Sequence, residues 1–136
     1  MLTKQKKGVN VIFPKIWEEP LKKSMFQKIP TKKYYASRGM FGVHVAVNDN
    51  DSRVYELRHI PYHSPGGFEW GYGGSGPADL ARSILADCAG MKVADTFYQD
   101  FKRDFIACMP ERGFVIKEEA IREWLEEKVK EAWSMK

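Results

Sequence analysis

The sequence predicts an α+β domain: a small antiparallel sheet of three to four strands, followed by three helices packed on one of its faces. Three observations carry this expectation. Residues 34–60 alternate apolar and polar side chains with the two-residue period of a strand. From residue 77 onward the apolar spacing changes to three and four, the period of a helix. Strand-like runs come first and helix-like runs afterwards, unlike the alternating order that builds a parallel sheet.

Residues 1–33 read as a basic arm ahead of the domain. Met1–Gly8 is polar. Val9–Phe13 (VNVIF) suits a strand or a packed extended piece, stopped by Pro14. Pro20 fits the first turn of a short helix over 20–28, and Glu18 and Glu19 suit its positive end. Leu21, Met25 and Ile29 share one edge of that helix, and Pro30 ends it. The single domain then spans residues 34–136. Tyr34–Arg38 reads as a strand broken by Gly39. Met40–Val47 alternates, with Phe41, Val43, Val45 and Val47 on one face and His44 on the other. Asn48–Ser52 is turn chemistry, because short polar side chains tolerate left-handed and Asx-turn backbone. Arg53–Ile60 alternates again and completes a hairpin signal.

Helices follow. Ala78–Ala89 places Leu80, Ile84, Leu85 and Cys88 together, and Gly90 is a natural stop. Lys92–Cys108 repeats Phe97, Phe101 and Phe105 at intervals of four, which marks a core edge, and Pro110 closes it. Gly113–Ile116 reads as a short extended link. Glu118–Trp133 carries the stripe Ile121, Trp124, Leu125 and Val129, with acids in its first turn.

At 136 residues, 43% hydrophobic and 29% charged, the chain is long enough for one cored domain. No apolar run approaches the roughly 18 residues of a membrane span, and no secretory leader opens it. Two cysteines, Cys88 and Cys108, make neither a disulfide framework nor a four-thiolate metal site; both fall on apolar faces and are expected as reduced core thiols of a cytoplasmic protein. The net charge of +4 is uneven: residues 1–33 hold nine lysines against Glu18 and Glu19, whereas residues 34–136 hold 13 basic and 16 acidic side chains. Such an arm can contact phosphates without reading bases, or simply keep the chain in solution.

One segment stands out. Pro65–Leu80 (PGGFEWGYGGSGPADL) contains six of the eleven glycines. Phe68, Trp70 and Tyr72 alternate as on one face of an extended strand, with Glu69 on the other side. Gly73, Gly74 and Gly76 precede Pro77, which suits the first helical position, so Ser75 or Gly76 is the expected N-cap and Asp79 falls in the first turn. A glycine-rich entry to a helix is an anion site in principle, because the first N–H groups lack internal acceptors and the dipole is positive there. No GK[ST] follows and no βαβ unit surrounds it, so neither nucleotide-loop motif is matched. Asp79 competes for the same positive potential. The alternative is a tight strand-to-helix connection capped by Ser75 and Asp79.

The run His63–Ala81 (HSPGGFEWGYGGSGPADLA) resembles the signature of a small uncharacterised family, a domain of unknown function found in bacteria and mobile elements. The resemblance continues through Ser83–Asp87, Tyr98–Lys102, Ile106-Ala107 and Trp124-Leu125, and covers residues 34–126. It implies no activity. The basic arm and Lys117, where Ser or Thr would cap the last helix, depart from the pattern.

Three functional readings follow. The leading one is a non-catalytic binding module for an anion, a nucleotide or a nucleic-acid phosphate: residues 71–76 supply N–H donors, Trp70 or Tyr72 stacks on a base, and Arg38 or Arg58 neutralises charge. The second is a small hydrolase or nuclease using Glu69 with His63; a buried Glu69 would be a general acid or base, unless an arginine pairs with it. The third is a protein-interaction module. His59 and His63 are interrupted by Pro61, so no zinc-helix spacing exists, and no metal or cofactor is expected. Ser75 is followed by Gly76-Pro77, not the pattern of a nucleophile elbow.

Overall fold

The computed structural model describes residues 29–134 apart from Asp51 and Pro65. The strand expected at 9–13 and the helix expected at 20–28 lie outside the described residues. The domain is α+β. Strands β1 (Lys32–Gly39), β2 (Gly42–Asp49) and β3 (Arg53–Glu56) form an antiparallel meander. Helices α1 (Ser75–Ala89) and α2 (Met91–Asp104) and a 3₁₀ turn (Ile106–Cys108) follow. Strand β4 (Gly113–Lys117) then pairs antiparallel with β1, giving the order β3-β2-β1-β4, and runs directly into α3 (Glu118–Ser134).

The sheet obeys the period-two rule. Tyr34, Ala36, Val45, Val47, Phe114 and Ile116 point inward and are buried, whereas Tyr35, Ser37, His44, Val115 and Lys117 point outward and are exposed. All the helices therefore cover the inner face. Helix α1 is buried on almost every side from Gly76 to Leu85, as expected of a helix between a sheet and other helices. Phe101 stacks on Phe105 at 4.8 Å and meets Trp124 edge-on at 5.2 Å, so the predicted aromatic edge of α2 is core against α3.

Several predicted boundaries move. Met40 and Phe41 form the two-residue tip between Gly39 and Gly42, with 91% and 90% exposure, so Phe41 does not join the face of Val45 and Val47. Gly42 has φ of 110°, which lets so short a turn reverse the chain. Strand β3 ends at Glu56; one more bond joins Leu57 N to Val45 O at 2.8 Å. Beyond it the backbone leaves β2 because α1 side chains take its donors, Ser83 Oγ accepting from Ile60 N and Asp79 from Tyr62, His63 and Ser64. Helix α2 stops at Asp104, and Cys108 in the 3₁₀ turn is exposed, not core. Cys88 is buried, and desolvation pushes its thiol up to about 12.

The expected link at 113–116 is β4. Gly113 permits the pairing: its φ is 151°, and a β-carbon there would stand 2.3 Å from Ala36 O. Gly113→Ala should therefore lose roughly 1–3 kcal/mol, the range for a strained backbone position, readable as a lower urea midpoint.

Two carboxylates, Glu118 buried and Asp87 partly buried, knit sheet to helices. Glu118 is 0% exposed; its Oε1 accepts from Thr31 N and Lys32 N, both at 2.9 Å, and its Oε2 meets Arg122 Nε at 2.7 Å. Arg122 also donates to Cys88 O at 2.8 Å, and its Nη1 is buried with no partner among the described residues. Asp87 on α1 receives Tyr34 from β1 at 2.6 Å, Tyr55 from β3 at 2.7 Å and Lys32 at 3.0 Å. Burial raises the Asp87 carboxyl, but these three donors outweigh it and hold the group below its ordinary range.

Candidate functional site

The glycine-rich segment forms no strand. Gly71 adopts φ of 90°, which turns the chain and breaks the alternation between Trp70 and Tyr72. Trp70 is consequently 2% exposed, packed edge-on against Phe114, with its indole N–H donating to Pro110 O and Glu111 O. A ring so placed has no free face for a base. Tyr72 turns outward and is 52% exposed.

Glu69 pairs with Arg38. The guanidinium donates to both carboxylate oxygens, at 2.8 and 3.2 Å, lies 4.3 Å from the Trp70 ring, and gives its Nε–H to Glu111 O at 2.6 Å. The bonds from Arg38 hold the Glu69 carboxyl below its ordinary range, against partial desolvation. Glu69 is thus an ionised partner, not a raised-pKa acid. Arg58 is exposed and makes no ion pair with the described residues.

Helix α1 begins at Ser75, two residues before the expected start at Pro77. Gly74 is the N-cap, no side chain caps it, and Pro77 occupies the third helical position, where its missing N–H is still no loss. Asp79 lies beyond the first turn and does not cap. It is 0% exposed and faces the preceding loop: Oδ1 accepts from His63 N at 2.9 Å, and Oδ2 accepts from Tyr62 N at 3.1 Å and Ser64 N at 2.9 Å, with His59 Nε2 also at 3.1 Å. Burial would raise this carboxyl, but the four bonds outweigh it and hold it below its ordinary range. As a structural clamp it is closed to ligand. Gly76 is closed as well, since a β-carbon there would lie 2.8 Å from Glu69 Cβ. At Gly74 the Tyr72 ring fills that space, 2.5 Å from such a β-carbon, whereas at Gly73 nothing lies within 4 Å.

Of the residues expected at the site, the fold brings Tyr72, Gly73, Gly74 and Ser75 to one open rim. Arg38 and Glu69 pair beneath it. His63 goes elsewhere: its Nε2 is hydrogen-bonded to Tyr98 Oη at 2.8 Å, and it makes no bond to Glu69. Tyr62, His63 and Tyr98 cluster with Arg82, whose guanidinium lies 4.4 Å from the Tyr62 ring and whose Nε bonds Asp95 at 2.8 Å. Sequence spacing gives no sign of this cluster, because the 59–64 loop and α2 meet only through the folding of α1 between them. Among the described residues no group of three or more His, Cys, Asp or Glu could hold a metal, and no helix is long and apolar enough to cross a membrane.

A model described as a family of unknown function (DUF6166) matches residues 34–127, from within β1 to within α3. The chain belongs to this family. No curated protein and no solved structure matches it. In this DUF6166 domain much of the long run that carries the resemblance is accounted for by folding: Trp70 is core, Glu69 holds Arg38, and Asp79 fastens the loop before it. Tyr72, Gly73 and Ser75 are exposed and have no such structural task.

Proposed function

We propose that the domain is a non-catalytic binding module, and that a phosphate-bearing ligand, a nucleotide or a nucleic-acid phosphate, seats on the rim formed by residues 72–75. One observation carries this reading. Helix α1 opens without a side-chain cap while both nearby carboxylates are spent, Asp79 on the 62–64 amides and Glu69 on Arg38. Of the first helical residues, Pro77 has no N–H and Ala78 N is bonded to Gly74 O, so the donors left without a helical acceptor are those of Ser75 and Gly76, at the positive end of the helix beside the open space at Gly73. Exposed Tyr72 offers a flat face for a base beside it. Arg38 supports the rim as a paired residue. The hydrolase alternative draws no support from the geometry, since Glu69 and His63 are each held by a different partner.

A thermal-shift and titration series with nucleotides tests the reading. Ligand at about 100 times Kd should stabilise the fold by roughly 2.7 kcal/mol. Tyr72→Ala should weaken binding about ten-fold, within the roughly 1–3 kcal/mol of a stacked base, without lowering the melting temperature. Absence of any shift, or equal affinity in Tyr72→Ala, ends the proposal.

A protein-interaction reading draws on a separate observation, the hairpin tip where Met40 and Phe41 are exposed together. A mass that rises with concentration, with no nucleotide shift, would favour it.

A further inference from the structure

The outer face of the sheet is uncovered by the described helices, and its composition is unusual for a solvated face. Tyr35 lies directly opposite Ala46 on β2 and Val115 on β4, and is 39% exposed, with Val115 at 52%. Its hydroxyl makes no hydrogen bond and its ring no aromatic or cation–π contact among the described residues. One step along the same face, Lys33 on β1 stands directly opposite Lys117 on β4. Like charges directly opposed across strands destabilise a sheet. Neither lysine has an ion pair with the described residues; Glu56, the acid on this face, stands in the Tyr35 row, opposite Ala46 on β2, and lies 3.7 Å from His44. Protection of a bare strand edge accounts for a lysine on β4, but Lys33 is on an interior strand. The Lys33–Lys117 row and the Tyr35 row are one face-repeat apart, roughly 6.6 Å along the strand.

We infer that this face binds single-stranded nucleic acid, with a base stacked on Tyr35 over the Ala46–Val115 floor and the backbone phosphates between Lys33 and Lys117. A phosphate placed there turns the opposed lysines from a cost into a contact, and an aromatic platform bordered by lysines is the arrangement that takes single strands without reading their sequence. This surface is distinct from the 72–75 rim, so the two proposals stand or fall separately.

The test is fluorescence anisotropy of a labelled oligothymidylate of about twelve nucleotides, titrated with the full chain at several salt concentrations. Tyr35→Ala should weaken binding on the order of ten-fold and Tyr35→Phe should retain it. Lys33→Ala and Lys117→Ala should each reduce the slope of log affinity against log salt by about 0.7. All three side chains lie on the outer face, and melting curves of the variants confirm the fold; if Tyr35→Ala melts early, the two lysine variants decide. No binding, or binding unchanged in the Tyr35 and lysine variants, overturns the inference. So does loss in Tyr72→Ala alone, which places the strand on the rim. A dimer in sedimentation that Tyr35→Ala dissolves also overturns it, since the face then belongs to a second copy.

Discussion

Asp79→Ala is expected to cost the domain about 3–5 kcal/mol, the range for breaking a buried charged network from one side. The magnitude follows from what is left behind. Three consecutive backbone N–H groups, of Tyr62, His63 and Ser64, lose their acceptor together, and His59 loses its partner. Hydrogen bonds to a charged group contribute roughly 1.5–3 kcal/mol each, and water entering the collapsed loop recovers part of the loss. For a domain of this size the melting temperature should fall on the order of 20 °C. Asp79→Asn should be nearly as harmful, because its amide N–H₂ presents donors to donors. Acid provides the second readout. The folded carboxyl titrates below its ordinary value, so its contribution is present above the unfolded carboxylate range and is lost as pH falls through the folded value. The stability gap between wild type and Asp79→Asn, measured by urea melts from neutral pH to about pH 3, should therefore narrow toward acid. A gap independent of pH, or a loss under about 1 kcal/mol, would refute the clamp.

The pair Glu118–Arg122 carries the second large effect, and its asymmetry is the informative part. Glu118→Ala removes the acceptor of two backbone donors at the start of β1 and leaves a buried guanidinium without its counter-charge, so about 3–5 kcal/mol should be lost. Arg122→Met leaves the carboxylate with both backbone donors and removes the buried, unpartnered Nη1, whose desolvation already opposes folding. That variant should lose less, about 1–3 kcal/mol, spread over Glu118 Oε2, which loses the arginine's bonds, and the carbonyl of Cys88. Equal losses in chemical denaturation would mean that mutual attraction of the charges, not the anchoring of β1, is what matters.

Much of this fold was legible because it is written in local period. The alternation of Tyr34–Arg38 and Val43–Val47 marked the central hairpin, and the four-residue recurrence of Phe97, Phe101 and Phe105 marked the buried edge of α2. Strand β4 was not legible as a strand: five residues pair with a segment far upstream, and the glycine that admits them is needed only because Ala36 O stands in the way. Within the glycine-rich segment, composition located the open rim, but alternation misled about Trp70 and Tyr72, since one residue with positive φ between them sends the two rings to opposite environments. Asp79 was expected to compete at the start of its helix. It serves a loop earlier in the chain, a direction that helix position alone does not specify. The Glu69–Arg38 pair was among the expected alternatives, and the outer-face lysines emerged only once strand register set them opposite each other.

The late arrival of β4 also bears on how the protein is made. A ribosome delivers the meander of β1 to β3 well before residues 113–122, so the interior strand of the finished sheet spends that interval as a bare edge, with its first amides waiting for Glu118. The nascent chain is thus open to strand pairing with its neighbours on a polysome until translation reaches the last helix, and the same ten residues that end that exposure lock the two halves of the polypeptide into one cooperative unit.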